Sequence, residues 1–318
     1  MIMKNIVDID PEKITNFWNA TIGERFPLRE QLWNQNTVTD PNILPQASFA
    51  VLDEDKLIGI LVSKKYQEQH QNLYMPTETG WIQCLLVDRE RRGEGIGTRL
   101  LSLAEKTFQE LKLKDIKIGR DPQHYFPGIP FEDKESIRFF ENKGYEKDSI
   151  EIDLYKRVKD QSLYELNHHE SYFRLLSSHD HDSLLQFLQV SFPGRWHYEA
   201  ARYFAQGGSG REILGLFVNG EMKGFCRLHD LDSPFIAANL YWSPLLEGKS
   251  GGIGPLGVDR SVRGQNLGLD IVKAAANELI KRGMDHIIID WTQLEQFYGK
   301  MGFRPWKRYQ SMSKRLHF

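Results

Sequence analysis

The segment "VDRERRGEGIGTRLL", residues 87–101, places a glycine-rich turn between a strand-like run and a helix-like run. Two arginines precede three glycines, Gly93, Gly95 and Gly97, which stand at alternate positions. Glycine lets a backbone take positive φ and approach a ligand closely. The first turn of the following helix offers N–H groups without helical partners, and its dipole favours negative charge. The segment therefore predicts an anion site, for which a pyrophosphate is the natural ligand.

A second copy of this segment, "VDRSVRGQNLGLDIV", follows at residues 258–272, 171 positions later. The copies share an opening Val-Asp-Arg, an Arg-Gly pair and a final glycine, whereas Asn266 replaces Gly95. Asparagine tolerates a left-handed backbone better than other residues that carry a Cβ. Its side chain also enters the path of a phosphate. Both binding and loss of binding therefore stay open for the second loop.

The two halves also agree beyond their loops. Each loop is followed by apolar residues at helical spacing, a β-like run ("DIKIG" or "HIIID") and an aromatic pair with a glycine. The aromatic ends, "RFFENKGY" (138–145) and "QFYGKMGF" (296–303), lie only 158 positions apart. The first half therefore holds 13 additional residues around the segment 121–136. The prolines and glycine of that segment predict an ordered loop.

A β-hairpin is predicted ahead of each loop. The two segments are "SFAVLDEDKLIGILVSKKY" and "EILGLFVNGEMKGFCRLHD", and the second turns at Asn219-Gly220. Helix-like segments precede both hairpins. We predict two domains of like fold, residues 1–160 and 168–318, joined by a charged polar stretch. Each runs hairpin, strand, glycine loop, helix, strand, helix, strand, which is an α/β (α+β) class with a mixed sheet.

Composition excludes several classes of protein. The formal net charge of −2 gives no basic field, so we expect no nucleic-acid partner. The two cysteines exclude a disulfide framework, and the ten histidines, some in "NHHES" and "SSHDHDS", lack metal-site spacing. No apolar run approaches the roughly 20 residues that cross a bilayer. We expect a cytoplasmic protein with no membrane partner and no metal, and the oligomeric state is not predicted.

Three folds bind pyrophosphate through glycine loops, and one matches. A P-loop requires GxxxxGK[ST], whose lysine is missing here, and a dinucleotide fold requires GxGxxG at its first strand. The segment "RGEGIG" (92–97) instead resembles the [Q/R]xxGx[G/A] loop of the GNAT acetyltransferase superfamily. The end "FYGKMGF" (297–303) resembles the closing motif of the same superfamily. Because both halves carry the pattern, the chain resembles tandem GNAT proteins, with an arrangement like that of mycothiol synthase.

This resemblance implies acetyl-CoA as co-substrate, with its pyrophosphate in the loop and its thioester beside the preceding strand. Arg92, or Arg91 in its place, can add charge-assisted bonds to phosphate. The implied cofactor-binding residues are Leu86, Val87, Arg92, Gly93, Gly95, Ile96, Gly97 and Thr98 in the first half, and Val258, Arg263, Gly264, Asn266 and Gly268 in the second.

Acetyl transfer to an amine also requires a base for the amine and an acid for the leaving thiolate. In many family members a tyrosine of the closing helix is that acid, and its match here is Tyr298, whereas the first half holds Phe140. A packing role is the alternative for Tyr298. Asp290 ends the strand "IIID" near the expected separation of neighbouring strands, and is the candidate base. A turn carboxylate is the alternative for Asp290, and Glu78 is a weaker candidate base.

We therefore expect an acetyl-CoA-dependent N-acetyltransferase that acts on a primary amine of a small molecule by direct attack in a ternary complex. Residues 191–204 and 124–130 are candidates for lining the acceptor pockets, although such aromatic clusters also close cores. The main alternative is an acyl-CoA-binding module in which one or both halves are inactive. A dinucleotide-dependent oxidoreductase is a third hypothesis. We expect Cys84 to be a core residue, because buried cysteine usually behaves as a small apolar group.

Overall fold

The computed structural model describes residues 1–68, 74–166 and 171–317. These residues form two compact units. Within the described part, the first unit takes residues 1–68, 76–151 and 308–317, and the second takes 74–75, 152–166 and 171–307. The end of the chain therefore folds with the first half, which the sequence did not indicate.

The first unit is built around a mixed sheet. Its elements are β1 (Ile2–Asn5), α1 (Pro11–Ile22), α2 (Glu30–Trp33), β2 (Phe49–Asp53), β3 (Lys56–Lys65), β4 (Thr79–Val87), α3 (Ile96–Glu110), β5 (Asp115–Ile118), β6 (Ile129–Pro130), α4 (Lys134–Glu141) and the start of β7 (Glu146–Arg157). The C-terminal strand β13 (Arg304–Arg315) joins this sheet through its residues from 308 onward. The order is β1-β2-β3-β4-β5-β13, in which β4 and β5 are parallel and the other neighbours antiparallel.

The second unit repeats this arrangement. Its elements are the remainder of β7, β8 (Ser171–Leu175), α5 (His181–Ser191), α6 (Arg195–Ala205), β9 (Ile213–Val218), β10 (Glu221–His229), β11 (Ser250–Val258), α7 (Leu267–Lys281), β12 (His286–Thr292), α8 (Glu295–Gly299) and the start of β13. The order is β8-β9-β10-β11-β12-β7, in which β11 and β12 are parallel. The predicted mixed α/β class and the repeat of hairpin, loop and helix are confirmed.

The domain limits predicted from the sequence, 1–160 and 168–318, stay a prediction. Residues 167–170, which include the histidines of "NHHES", lie outside the described residues. Within the described residues, no helix is long and apolar enough to cross a membrane.

The helix after each glycine loop buries the same positions in both units. Buried residues at matching positions include Leu100, Leu101, Ala104 and Phe108 in α3, and Ile271, Val272, Ala275 and Leu279 in α7, each 171 positions later. A Cβ built on Gly80 of β4 would lie 3.0 Å from Phe108, and one on Gly251 of β11 would lie 3.0 Å from Leu279. A strand glycine therefore lets each helix approach its sheet closely.

The two parallel strands of each unit separate before they end. Pairing between β4 and β5 ends at Ile82, although β4 continues to Val87. Pairing between β11 and β12 ends at Gly252, although β11 continues to Val258. Each unit therefore has a gap in its sheet immediately before its glycine loop, where the sequence analysis expects the thioester.

The inserted segment of the first half forms an ordered loop, as predicted, with β6 as its short strand. Tyr125 and Phe126 of this loop are buried. The ring of Phe126 lies parallel to that of Trp18 in α1, 5.8 Å away, and meets Phe26 edge-on at 5.0 Å. These aromatic contacts anchor the loop to α1 of the first unit.

A buried ion cluster holds the same loop to β3. The ammonium of Lys64, which is fully buried, donates to Asp40 at 2.7 Å, to Asp121 at 2.8 Å and to the carbonyl of Gln123 at 3.2 Å. One cation thus faces two buried carboxylates. Such a cluster persists only when every member keeps its partner.

We predict that Lys64→Met lowers the free energy of unfolding by about 3–5 kcal/mol, because two buried carboxylates lose their cation. Urea unfolding at neutral pH measures the change. The control is Lys106→Met, which removes an exposed pair with Glu110 at 3.9 Å and is expected to change little. A loss for Lys64→Met no larger than that of the control would contradict the role of the cluster.

Candidate functional site

A cavity of about 380 Å³ lies in the first unit where β4 and β5 separate. It extends from this gap to the glycine loop and α4. Its lining includes all the cofactor-binding residues that were predicted in the first half, namely Leu86, Val87, Arg92, Gly93, Gly95, Ile96, Gly97 and Thr98. The tertiary structure thus brings these residues to one space, and their contact with a cofactor stays a prediction.

The glycine loop of the first unit takes the left-handed conformation that its sequence predicts. Gly93 has φ +85° and Gly95 has φ +82°. A Cβ built on either glycine meets no atom within 4 Å, so the space beside the loop is open. Because α3 begins at Ile96, the N–H groups of its first turn follow this open space directly. The loop therefore fits a pyrophosphate.

The two arginines before this loop have different partners. Arg91 donates to Asp53 at 2.7 Å and to Glu94 at 2.9 Å, so its charge is already paired. Arg92 donates through Nε to the carbonyl of Val87 at 3.4 Å. Arg92 is therefore the better candidate for a phosphate contact.

The second loop has the same backbone shape in spite of its asparagine. Gly264 has φ +83°, and Asn266 has φ +61° and ψ 2°, close to the φ +82° and ψ 0° of Gly95. Arg263 donates to the carbonyl of Val258 at 3.2 Å, as Arg92 does in the first loop. The second loop thus keeps the left-handed backbone of the first loop, and its main difference from the first loop is the Asn266 side chain.

The helices that carry the aromatic motifs, α4 and α8, contact the last glycine of each loop. A Cβ built on Gly97 would lie 3.7 Å from Phe139, and one on Gly268 would lie 3.8 Å from Phe297. The aromatic motif that the sequence analysis singled out therefore packs against the start of the loop helix in both units.

Tyr298 lies in α8 and is 5% exposed. Its ring meets Phe297 at 4.9 Å and 80°, as Phe140 meets the residue before it at 5.2 Å and 83°. Burial, followed by the charges of Cys226 and Asp290, raises the pKa of the Tyr298 phenol well above its usual value. The phenol is therefore protonated at neutral pH, as a proton donor must be.

Asp290 is half-buried near the end of β12. A Cβ built on Gly254 of β11 would lie 3.9 Å from Asp290 Oδ1, so the carboxylate faces the gap between the two strands. Burial, followed by the charge of Asp153 and then that of Glu199, raises the pKa of Asp290 to about 7, while Arg195 opposes the shift. A carboxyl with this pKa suits a general base at neutral pH.

In the first unit a glycine stands at the position of Asp290, a difference that the sequence-based predictions did not use. Counted from the first paired residues of β5 and β12, Asp115 and His286, Gly119 matches Asp290. A Cβ on Gly119 would lie only 2.0 Å from the carbonyl oxygen of Phe126. No side chain fits there without moving the inserted loop. The sequence held a signal for this difference, because Gly119 and Asp290 are 171 positions apart, which is the offset between the two loop copies.

The remaining catalytic candidates lie in less suitable surroundings. Glu78 is exposed and pairs with Lys114 at 2.7 Å. Cys84 is buried, and burial raises the pKa of its thiol to about 12. Cys84 lines the cavity of the first unit as a neutral apolar group.

The predicted acceptor segment 191–204 is divided between two roles. The guanidinium of Arg195 lies 4.5 Å from the ring of Trp291, which follows Asp290. Trp196 packs in an aromatic cluster, and His197 and Tyr198 are buried. Of these side chains, Arg195 lies beside the end of β12.

Comparison with known families matches residues 15–126 and 181–303 to the acetyltransferase (GNAT) family. The matches cover more than half of the chain, and each contains one glycine loop. The chain belongs to the GNAT family. It is a tandem GNAT protein, with one GNAT domain in each half, and its family uses acyl-CoA.

A curated relative of this GNAT protein matches only part of it. It is 28% identical to N-alpha-acetyltransferase 30 of Schizosaccharomyces pombe over 101 residues, which are 32% of this chain and 58% of that protein. The chain thus matches little more than half the length of this curated relative. At 28% identity over one third of the chain, this likeness supports the family and not a substrate.

Two solved structures share the tandem fold. A region of a fungal multi-domain protein, named as a GCN5-related glucosamine N-acetyltransferase, has a TM-score of 0.87 and 24% identity, and the match covers 98% of this chain and 38% of that one. A tandem GNAT protein from the clavulanic acid pathway has a TM-score of 0.67 and 14% identity, with 99% and 98% covered. At these identities the likeness concerns the fold.

We predict that exchanging the loop residues changes CoA affinity in opposite directions. Gly95→Asn should weaken CoA binding to the first unit, because its side chain enters the open space beside the loop, while the left-handed backbone is kept. Asn266→Gly should strengthen binding to the second unit. Calorimetric titration with CoA measures both, and Gly207→Asn, at a remote glycine with φ +85°, is the control. Unchanged affinities in both loop variants would show that these loops do not hold the cofactor.

Proposed function

We propose that this GNAT protein is an acetyl-CoA-dependent N-acetyltransferase of a small primary amine, and that transfer takes place in its second unit. One observation carries the proposal. The second unit has both proton-transfer candidates, Asp290 beside the strand gap and Tyr298 in α8, and the charge of Asp290 adds to burial in raising the pKa of Tyr298. The first unit has Gly119 and Phe140 at the matching positions.

The chemistry assigns one proton to each group. Acetyl-CoA supplies the acetyl group as a thioester. The Asp290 carboxylate accepts a proton from the amine nitrogen as that nitrogen bonds to the carbonyl carbon. The electron pair of the carbon–sulfur bond leaves with sulfur, and the Tyr298 phenol donates its proton there. The products are the N-acetylated amine and CoA, and no covalent enzyme intermediate is required.

The second unit is suited to hold the donor. Gly264 and Asn266 give its loop the left-handed backbone of the first loop, and a Cβ on Gly264 meets no atom within 4 Å. The Arg263 guanidinium reaches the carbonyl of Val258, the last residue of β11, and is the candidate cation for phosphate. Asp290 faces the gap that leads to this loop.

The alternative, an acyl-CoA-binding module, suits the first unit. Its cavity is lined by a complete loop, but Gly119 and Phe140 stand at the positions of Asp290 and Tyr298, and the inserted loop packs against α1. We therefore propose that the first unit binds acyl-CoA without transferring its acyl group.

The acceptor class is a further part of the proposal. One relative is named a glucosamine N-acetyltransferase and the other an N-alpha-acetyltransferase, so an amino sugar and an α-amine both belong in the test. An amine panel would contain an amino sugar, an amino acid, an aliphatic amine and an N-terminal peptide. CoA release with any of them supports transfer, and CoA binding without release by the whole panel supports the binding module.

We predict that kcat rises with pH and levels off above about 7, because Asp290 acts as a base only after it loses its proton. Asp290→Asn should remove this inflection and lower kcat by about 10²–10⁴-fold. The profile is measured at saturating acceptor. The control is Asp285→Asn, just before the same strand, which should keep the inflection. A pH profile that Asp290→Asn leaves intact would remove the base from the proposal.

We predict that Tyr298→Phe lowers kcat by about 10²-fold, the lower end of the range for general acid catalysis. The ring and its packing against Phe297 are kept, so the fold should not change. The control is Tyr145→Phe, which removes a hydroxyl that donates to Glu105 at 2.9 Å in the first unit. Full kcat in Tyr298→Phe would leave this tyrosine a packing residue only.

A further inference from the structure

Five buried polar side chains of the second unit have atoms without hydrogen-bond partners among the described residues, and three of them lie between residues 227 and 239. These three are Arg227 (Nε and Nη2), His229 (Nε2) and Asn239 (Oδ1), which are 4%, 2% and 3% exposed. Buried polar atoms are nearly always paired, and unpaired ones are costly. A group of them in one region therefore indicates a ligand.

Arg227 presents one edge of its guanidinium. Nε and Nη2 lie on the same side of the planar group and donate in parallel to two neighbouring oxygens. The rings of Tyr203 and Phe235 each lie 5.3 Å from the guanidinium carbon. The Tyr203 hydroxyl is itself bonded to Glu212 and to the Gly210 amide. The aromatic rings thus fix the orientation of the free edge.

His229 adds a third donor. Burial, followed by the charges of Arg227 and Arg282, lowers the pKa of His229 well below its usual value, so the ring is neutral. Its Nδ1 lies 3.4 Å from the amide nitrogen of Asn239, which donates to it. The proton of the neutral ring therefore belongs on Nε2, the atom without a partner.

Asn239 places this group beside the strand gap of the second unit. Its Oδ1 would lie 1.9 Å from a Cβ on Gly252, so the amide rests directly on that strand residue. Gly252 pairs with His229 on one side and with Ile288 on the other, at the last paired position of β11 and β12. Asp290 follows two residues beyond Ile288, and its charge acts on Arg227.

The first unit lacks this arrangement at the matching positions. The strand pairing aligns Arg227 with Val62 and His229 with Lys64. Val62 is a buried apolar residue, and the Lys64 ammonium is bonded to Asp40 and Asp121. The unpartnered group therefore accompanies the proton-transfer residues in the second unit.

The hydrogen-bonding pattern selects among ligands. The group offers three donors and one acceptor, the Asn239 oxygen. A carboxylate accepts from the donors but gives nothing to Asn239, and an amine without hydroxyls has only its nitrogen to pair with these four atoms. Adjacent hydroxyl groups both accept and donate, so they satisfy all of them.

We propose that Arg227, His229 and Asn239 form the acceptor subsite of the second unit, and that the acceptor is an amine with adjacent hydroxyl groups. The proposal rests on the proposed transfer activity of this unit. Its specificity follows from the cost of leaving buried donors unpaired, which penalises an acceptor without hydroxyls. Arg227 is thus a specificity-determining residue, and no proton transfer is assigned to it.

Binding separates this subsite from catalysis. With the full chain saturated with CoA, calorimetry measures the affinity of D-glucosamine and of cyclohexylamine, a ring amine without hydroxyls. We expect the wild type to prefer glucosamine by about tenfold or more, and Arg227→Met and Asn239→Leu to remove most of that preference. The control, Arg174→Met, alters an exposed pair with Asp180 and should keep the preference.

Thermal unfolding distinguishes a structural arginine from a binding one. Arg227→Met removes a buried charge whose Nε and Nη2 are unpaired, so it should unfold at or above the wild-type temperature while losing glucosamine preference. Lower stability with an unchanged preference would overturn the proposal. So would equal affinity of the wild type for both ring amines, or tighter binding of glycine than of glucosamine. Hydroxyl-dependent binding without acetyl transfer would support the subsite and refute the proposed activity.

Discussion

The early end of pairing between two parallel strands is the constraint on which each site depends. In both units the central strand continues after its parallel neighbour has separated, so its last residues border a gap. The glycine loop follows at once, and its left-handed residues turn the chain so that a helix begins beside the same gap. Helix N–H groups and strand residues thereby reach one space. A ligand with an anionic middle and a reactive end fits this geometry, because the anion site and the gap lie in sequence along one strand and its loop.

The two units share this backbone and differ in what surrounds it. In the first unit, Gly119 stands against the carbonyl of Phe126, and a buried lysine cluster holds the inserted loop in place. In the second unit, a carboxylate occupies the position of Gly119 and faces the gap. Its burial, and the nearby charge of Asp153, raise the pKa of Asp290 to about 7. The two copies of one fold thus share the left-handed loop, and the second carries a carboxylate where the first has glycine.

Much of the fold was predictable, because it depends on local pattern. Apolar spacing indicated α3 and α7, Asn219-Gly220 indicated a hairpin turn, and glycine alternation indicated a left-handed loop. Asn266 stands in the second loop where the first has Gly95, and a left-handed backbone could still be predicted there, since asparagine is among the residues that tolerate positive φ. The sequence did not indicate that the residues from 308 onward complete the first unit, because strand pairing over such a distance leaves no local pattern.

The sequence by itself determined the repeat, the loops and the identity of the closing aromatic residues, because each of these features depends on a short run of adjacent residues. Only the tertiary structure decided which side chains share a site. It placed Asp290 opposite Gly254, closed the position of Gly119 with a distant carbonyl, and brought His229 and Asn239 to Gly252, the last paired residue before that gap. The physical reason is that burial, unpaired donors and shifted pKa values arise from contacts between segments far apart in the chain. A local pattern of residues does not reveal such contacts.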